Sequence, residues 1–281
     1  MTTSLHKLRC GARSAAFATA ALSLIAVTSG GPDAIAAGGD ATTSDTTFRV
    51  AYGSIAVGQI ETSLRVEGAR YEVEGSFASG GVAKLFGKTT ATASGQGRVG
   101  KRSMVPGRFA FGYASGDKRR DRRLMFRDGR ATDVTIDPPY RKRSAEDWAL
   151  PTVADLERVH DPVAGLLLRG ETAEEVCNRT VRLYDGTVRL DIVMRSGRTK
   201  PFRARGYRGE ATVCKLRLKP VAGFRKDGKK AAEIGAIEGA EAAFVRIPGT
   251  ALHQVVELEV PTRIGKVSAK ATELRFGEGL L

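Results

Sequence analysis

The chain has 281 residues and carries 45 lysine and arginine residues against 31 acidic residues, a formal net charge of +14. This length accommodates one large β domain or two small ones. So basic a chain would suggest nucleic acid in a cytosolic protein. The N-terminus predicts export, so we exclude nucleic acid and expect a solubilising surface or contact with envelope polyanions.

Residues 1–36 have the layout of a secretory signal peptide. An apolar stretch over residues 15–27 leads to an A-x-A cleavage site at residues 34–36, and the basic residues before it are Lys7, Arg9 and Arg13. The apolar stretch is shorter than the ~20 residues that a membrane-spanning helix needs. Cys10 precedes this stretch, which argues against a lipoprotein. The sequence therefore predicts export to a bacterial periplasm or the extracellular space.

The rest of the chain predicts a short linker and one β domain. Residues 37–47 are small and polar, which is typical of a flexible linker. Over residues 48–276 hydrophobic residues recur with a period of two, as in strands with one buried and one exposed face. The runs are Phe48, Val50 and Tyr52; Phe109, Phe111 and Tyr113; Leu190, Ile192 and Met194; and Cys214, Leu216 and Leu218.

Turn signals separate these runs at short spacing, and they include Gly68, Ser115-Gly116-Asp117, Asp128-Gly129, Asp185-Gly186, Ser196-Gly197 and Pro248-Gly249. Asp-Gly pairs suit tight hairpins because glycine tolerates a positive φ. The pattern predicts a mainly β fold made of one antiparallel, strongly curved sheet.

Two segments break the period and predict helical structure. Residues 82–86 lie after paired glycines and predict a single helical turn. Residues 161–169 predict the one short helix of the domain, because Asp161 can cap it, Pro162 suits its first position and Gly170 suits its end. The stretch 227–239 is rich in lysine, glycine and alanine and predicts a surface loop with weak helical character.

Two cysteines, Cys177 and Cys214, remain once the signal peptide is removed. Export places them in an oxidising compartment, where a disulfide is the expected state. The alternatives are a redox or a metal role. Redox centres favour C-x-x-C spacing and zinc sites need more ligands, so a structural disulfide is predicted.

A dense run of basic residues is the candidate anion-binding site. Its members are Lys118, Arg119, Arg120, Arg122, Arg123, Arg127 and Arg130, and residues 141–143 can extend it. Arginine pairs well with phosphates and carboxylates, so the run predicts contact with lipid phosphates or a membrane surface. The alternative is a solvated hairpin whose charges protect a sheet edge.

No catalytic motif is convincing. Residues 95–101 match two glycine-rich phosphate-loop patterns, but Arg102 stands where Ser or Thr would hold magnesium, so a glycine-rich strand and turn is expected. His160 and His253 show no metal-ligand spacing. We assign no catalytic residue, no metal and no cofactor, and a carboxylate pair for glycoside cleavage stays open with Asp185 and Asp191 as its candidates.

Five segments, taken in order, resemble the signatures of one protein family. They are residues 48–58, residues 80–86, Asp161-Pro162 with the leucines that follow, Tyr184-Asp185-Gly186 with Arg189 and Asp191, and residues 220–224. The chain thus resembles the domain of unknown function 3108 family of exported Gram-negative proteins over residues 48–276. The resemblance implies a periplasmic protein without an established reaction. It also implies likeness to envelope-integrity proteins built as an open, spiral β-barrel.

Two functions follow as hypotheses. The first is a non-enzymatic periplasmic protein that supports the cell envelope by binding a lipid, lipopolysaccharide, peptidoglycan or an envelope protein, with peripheral membrane contact. The second is an envelope hydrolase that acts on glycan or lipid with carboxylates. The sequence leaves the oligomeric state and the identity of the ligand open.

Overall fold

The computed structural model describes residues 41–81, 83, 87–141, 143–263 and 265–278. The predicted signal peptide, residues 37–40 of the predicted linker and most of the predicted helical turn at 82–86 lie outside the described residues. No helix among the described residues is long and apolar enough to cross a bilayer.

Sixteen strands account for most of the described chain. They are β1 Thr42–Tyr52, β2 Ile55–Glu67, β3 Arg70–Ser79, β4 Thr89–Val99, β5 Met104–Ser115, β6 Lys118–Arg127, β7 Arg130–Asp137, β8 Trp148–Ala149, β9 Leu167–Arg169, β10 Thr180–Tyr184, β11 Arg189–Ala204, β12 Tyr207–Ala222, β13 Phe224–Arg225, β14 Ala240–Arg246, β15 Leu252–Thr262 and β16 Gly265–Glu278. Two short helices, α1 Ala173–Cys177 and α2 Lys229–Gly235, lie between strands.

One antiparallel sheet holds fourteen of these strands, in the order β10-β11-β12-β14-β15-β16-β1-β2-β3-β4-β5-β6-β7, with β9 added beside β15. Neighbours in this order are mostly neighbours in sequence, and the pairing of β16 with β1 joins the first and the last of the described strands. The sheet curves into a nearly closed barrel whose seam lies between β7 and β10. The predicted curved antiparallel sheet, or open β-barrel, is confirmed.

Side-chain alternation explains which face of each strand is buried. In β6, Leu124 and Phe126 are buried while Arg123, Met125 and Arg127 are exposed. Tight turns join the strands where glycine adopts a positive φ, as at Gly116 with a φ of 54° between β5 and β6. The period of two and the turn signals in the sequence therefore agree with the strands and turns of the observed sheet.

The segment before β10 crosses the seam and joins its two sides. The amide of Val159 donates to the carbonyl of Gly129 in the β6–β7 turn (3.1 Å). The amide of His160 donates to Arg182 of β10 (2.7 Å), and the amide of Tyr184 donates back to His160 (2.9 Å). Main-chain bonds thus connect β10 to the β6–β7 hairpin although those strands do not pair directly.

The helix predicted over residues 161–169 is wrong beyond its cap. Asp161 does cap, because its Oδ1 accepts from the amides of Val163 and Ala164, both at 2.9 Å. The chain then makes only one 3₁₀ turn, Ala164–Leu166, and continues as β9, which pairs with β15. Strand pairing along β15 takes the main-chain groups that a longer helix would have used internally.

Three smaller expectations are also corrected. Residues 42–47, expected in the linker, belong to β1 because they pair with both β2 and β16. Ser196-Gly197 forms a bulge inside β11 instead of a turn, since the pairing with β12 shifts register there. Within the stretch expected as a loop, 227–239, lies α2.

The β11–β16 side of the sheet has a packed interior. The long β11–β12 hairpin bends back until the amide of Leu274 in β16 donates to the carbonyl of Arg205 near its tip (2.9 Å). Buried residues beneath it include Phe202, Val213, Val245, Val256 and Leu274.

The predicted disulfide between Cys177 and Cys214 is present. It ties the end of α1 to β12, and both cysteines are fully buried. Val176, Met194 and Phe244 pack around it in one hydrophobic cluster.

Candidate ligand-binding site

A cavity of about 420 Å³ lies on the inner face of β1 to β6. The pairing registers align one inner row across these strands, and its members are Thr46, Thr62, Gly75, Ala93, Phe111 and Arg122. Four of these six side chains are small, so they do not fill the curve of the sheet. These small residues leave space on the inner face of the sheet.

The lining of the cavity is predominantly apolar. The 3₁₀ turn and the two residues before it contribute Leu166, Pro162 and Val163 to the lining. The sheet contributes Phe48, Ile60, Leu64, Val73, Phe77, Phe109, Phe111, Val255 and Leu258. A cavity of this size and lining falls within the usual range of small-molecule pockets, ~300–1,000 Å³.

Arg122 and Asp185 are the charged pair in the cavity wall. Arg122 Nη1 lies 2.5 Å from Asp185 Oδ2, and the two side chains are 17% and 30% exposed. The other oxygen of Asp185 accepts from the amides of Thr187 (2.8 Å) and Val188 (2.7 Å) in the β10–β11 turn. This ion pair links β6 to the β10–β11 turn, so it also bridges the seam.

Aromatic rings hold further arginines beside this pair. The guanidinium of Arg120 lies 3.9 Å from the ring centroid of Tyr140. Arg143 lies 4.8 Å from the same ring and 4.2 Å from the ring of Trp148. Arg122 donates through Nη2 to the Tyr140 hydroxyl (2.9 Å). Arg122 lines the cavity, and Arg120 and Arg143 adjoin Arg122 through Tyr140; we call Arg120, Arg122 and Arg143 the mouth arginines.

The mouth arginines carry more charge than their surroundings balance. Arg122 is paired with Asp185, whereas within the described residues neither Arg120 nor Arg143 forms an ion pair. Arg120 also has a buried Nη1 without a hydrogen-bond partner in the described structure. Three positive charges thus face one carboxylate, which favours an additional anion at this position.

The pKa of Tyr140 responds to this field. Burial acts to raise the pKa of its hydroxyl, but the charge of Arg122 and the hydrogen bonds from Arg122 and Arg120 outweigh burial and lower it. A lowered tyrosine pKa beside a cavity is typical of functional sites.

The basic run expected as one site is divided between two faces of the sheet. Because side chains alternate along β6, Arg120 and Arg122 share the inner parity with buried Leu124, while Arg119, Arg123 and Arg127 are exposed on the outer face. Lys118 is exposed beside the β5–β6 turn, and Arg130 pairs with Glu157 (2.8 Å). Anion binding by the outer members stays a prediction.

Sequence reasoning missed the aromatic partners of this site. Tyr140 lies in the irregular segment after β7 and Trp148 lies in β8, and the sequence connected neither ring with the basic run, although the extension of that run over residues 141–143 included Arg143. A usable signal was the alternation along β6, which assigns Arg120 and Arg122 to the inner face with Leu124.

The remaining candidate residues lie apart from one another. Asp191 pairs with the fully buried Arg189 (2.7 Å), and Asp185 pairs with Arg122. His253 is buried in β15, and burial lowers the pKa of its imidazole. His160 stands at the seam, where burial likewise lowers its pKa. Among the described residues no group of three side chains is placed to hold a metal ion.

Asp161 is a buried acid that directly precedes Pro162 and Val163 of the cavity lining. Its side chain is fully buried, and burial raises the pKa of its carboxyl to about 6 although the amides of Ala164 and Val163 oppose this. Burial, with the charge of Asp161 as a second cause, raises the pKa of Tyr71. Asp161 fixes the 3₁₀ turn that forms one wall of the cavity.

One solved structure similar to this chain is the crystal structure of a β-barrel-like protein of domain of unknown function DUF1849 from Brucella abortus. The two share 8% sequence identity with a TM-score of 0.48, over 85% of this chain and 98% of the other. No curated protein matches the chain.

The sequence model of one family, described as protein of unknown function (DUF3108), matches residues 47–236. This match covers β2 to β6, which line much of the cavity, together with the mouth arginines and the two cysteines of the disulfide. The chain belongs to the DUF3108 family of proteins of unknown function.

Proposed function

We propose that this protein is a non-enzymatic binding protein of the bacterial periplasm. Its ligand is an amphiphile whose apolar chain occupies the cavity and whose acidic head group meets the mouth arginines. The observation that carries this proposal is the apolar cavity of about 420 Å³ with Arg122 in its wall.

The apolar lining supports the choice of an apolar chain. Phe48, Leu64 and Phe109 line the cavity, and burying apolar ligand surface against such side chains gains about 25 cal/mol per Å². Leu64 of this lining also belongs to a hydrophobic cluster with the buried residues Tyr71 and Met104.

The mouth arginines support the choice of an acidic head group. Arginine forms paired hydrogen bonds with carboxylates and phosphates, and these bonds are stronger than neutral ones. Arg120 and Arg143 are held against aromatic rings, so little side-chain entropy is lost when an anion binds. The ligand class is therefore a fatty acid or an anionic lipid, which is available at the envelope.

The predicted export agrees with this assignment. The disulfide suits an oxidising compartment, and the residues before residue 41 have a signal-peptide pattern. Fractionation that finds the mature protein in the periplasmic extract supports the placement, whereas recovery of full-length chain in the cytoplasm contradicts it.

The test is displacement of a fluorescent apolar probe from delipidated protein by palmitate and by hexadecanol. Palmitate should displace the probe at lower concentration than hexadecanol, because only palmitate carries a carboxylate. Ala93→Leu, which fills the cavity, should weaken palmitate binding about tenfold or more.

Ser94→Leu is the matched control, because Ser94 is the next residue of β4 and is exposed on the other face. It should bind palmitate like the wild type. Arg120→Gln should weaken palmitate and leave hexadecanol unchanged. Failure of palmitate and hexadecanol to displace the probe, or equal loss in Ala93→Leu and Ser94→Leu, overturns the proposal.

The hydrolase hypothesis finds less support than binding. Both candidate carboxylates, Asp185 and Asp191, are engaged in ion pairs with Arg122 and Arg189.

A further inference from the structure

We propose that a second site, a basic cleft at the opposite end of the sheet, binds a ligand with two or more phosphate groups. The cleft has a volume of about 970 Å³. It is bordered by the β4–β5 turn, whereas the β5–β6 turn lies at the end near the mouth arginines. This inference does not depend on the occupant of the apolar cavity.

Positively charged side chains lie on three walls of the cleft. The β4–β5 turn contributes Lys101 and Arg102, the seam segment with β10 contributes Arg158 and Arg182, and β9 with the residues after α1 contributes Arg169 and Arg179. Two acidic residues, Glu171 and Glu175, also line it. Six positive charges therefore face two negative ones.

These positive charges are not neutralised within the described part of the chain. None of the six forms an ion pair there, and Glu171 pairs instead with Arg246 (2.7 Å), which is not in the lining. The β11–β16 surface differs, because many of its cations are matched, namely Arg198 with Glu241, Lys200 with Glu257, Arg205 with Glu273 and Lys266 with Glu259. Unmatched cations are thus concentrated in a concave surface, which is where an anionic ligand gains most.

Arg179 holds the walls of the cleft in place. Its guanidinium donates to the carbonyls of Arg169 (2.6 Å), Arg102 (3.4 Å) and Glu175, so one side chain joins three segments. Arg179 is therefore a positioning residue, which fixes these three segments relative to one another.

Arg158 is presented by an unusual backbone. It has a φ of 52° although it is not glycine, and its side chain is exposed. Such conformations cluster at ligand-binding positions, where the surrounding structure maintains them. Main-chain bonds of neighbouring Val159 and His160 across the seam maintain this one.

The number and spread of the cations decide the ligand class. One phosphate group is commonly held by one or two arginines in bidentate contacts. Cations on three separate walls of a cleft this large suit a ligand with at least two phosphates, such as a polyphosphate or a bisphosphorylated head group.

The experiment is calorimetric titration of the full mature protein with sodium tripolyphosphate. The cleft variant is Lys101→Glu with Arg102→Glu, because both residues are exposed in a turn and Arg179 contacts only the carbonyl of Arg102. We expect its affinity to fall about tenfold or more, and wild-type affinity to fall steeply with salt. Arg158→Asn tolerates the positive φ and should weaken binding as well.

The control variant is Arg203→Glu with Arg208→Glu, which makes the same change in net charge on the exposed β11–β12 hairpin. It should bind tripolyphosphate within about twofold of the wild type, since screening weakens distant charges. Absence of wild-type binding, or equal losses in the cleft and control variants, overturns the proposal. Ala93→Leu should retain tripolyphosphate binding, which separates this result from that for the cavity.

A last arm distinguishes the source of the phosphates. Phosphatidylcholine vesicles containing diphosphoryl lipid A, whose head group carries two phosphates, are added as competitors. Competition assigns the site to a lipid head group, and its absence assigns it to a soluble polyphosphate. Both results support the phosphate class.

Discussion

The two sides of the sheet have the same antiparallel topology but different interiors. On the β1–β6 side, the inner row includes Thr46, Thr62, Gly75 and Ala93, and a cavity of about 420 Å³ remains. On the β11–β16 side, large side chains such as Phe202, Phe244 and Leu274 are buried and fill the interior. The size of inner side chains, and not the strand order, determines where this fold is hollow.

Because their interiors differ, we expect the two sides of the sheet to have different roles, one in stability and the other in binding. The packed side holds the disulfide and the largest buried cluster, so it should supply most of the cooperative stability. The β1–β6 side, the hollow side, contains a cavity in place of packing contacts and therefore has room for a ligand. Changes on the packed side should therefore affect unfolding most, while changes on the hollow side should affect binding most.

Loss of the disulfide should have the largest effect. Cys177 and Cys214 are separated by 37 positions in the sequence, and Cys177→Ser with Cys214→Ser should lower the free energy of unfolding by about 4 kcal/mol. Denaturant unfolding of the variant and the wild type, each with and without reductant, measures this. A wild type insensitive to reductant, or a variant as stable as the wild type, contradicts the assignment.

Replacing the buried acid at the boundary of the two sides should have the next largest effect. Burial raises the pKa of Asp161 to about 6, above its usual 3.8, so the folded state favours the protonated form. The stabilisation of the folded state that the protonated carboxyl contributes is fully present below pH 4, and it is lost as pH rises through 6. Asp161→Asn should therefore raise unfolding free energy at pH 7 by up to about 3 kcal/mol.

The measurement is denaturant unfolding between pH 4 and pH 7. The advantage of Asp161→Asn should shrink as pH falls toward 4, because wild-type Asp161 becomes protonated. Asp133→Asn, at an exposed position of β7, is the control and should show no such pH-dependent advantage. A constant difference across this range refutes the assignment to Asp161.

Replacing one phenylalanine on each side with alanine should test directly whether the two interiors differ. Phe244 is 2% exposed within the disulfide cluster, whereas Phe111 is partly exposed in the cavity wall. Phe244→Ala should cost about 2 kcal/mol more than Phe111→Ala, since only Phe244 leaves a new void in a packed core. Urea unfolding of both variants measures the difference, and equal costs would contradict two distinct interiors.

The ion pair across the seam should have the smallest effect. Arg122 and Asp185 are partly buried, and their coupling in a double-mutant cycle with Arg122→Gln and Asp185→Asn should be about 1 kcal/mol. Urea unfolding of the four proteins provides it. A coupling near zero means that the main-chain bonds of Val159 and His160 alone hold the seam.

Much of the fold could be predicted from the sequence because exposure alternates along each strand. The period of two identified β1, β5, β11 and β12, and local turn chemistry identified several hairpins. The helix α1 was missed, although Thr172 and Glu175 have capping-box spacing and the amide of Glu175 donates to the Thr172 hydroxyl (3.2 Å). Its five residues are too few to show a helical period.

The candidate site was harder to predict because its parts are distant in sequence. Arg122 and Asp185 are 63 positions apart, and nothing in their local spacing indicates contact. The cavity depends on Gly75 and Ala93 being small in aligned positions of adjacent strands, and that alignment requires the register. The basic run was visible in the sequence. Its division between two faces depends on which side chains of β6 face the inside of the curved sheet.

The pairing of the first strand with the last has a consequence for how the chain is completed. β1 pairs with β16 along nearly its whole length, from Thr42 opposite Glu278 to Tyr52 opposite Val267. One edge of β1 therefore lacks its partner until β16 has been synthesised, and an unpaired edge is prone to associate with other chains. A polypeptide whose β16 has not yet emerged needs protection at β1, and truncation before Gly265 would recreate the same aggregation-prone state permanently.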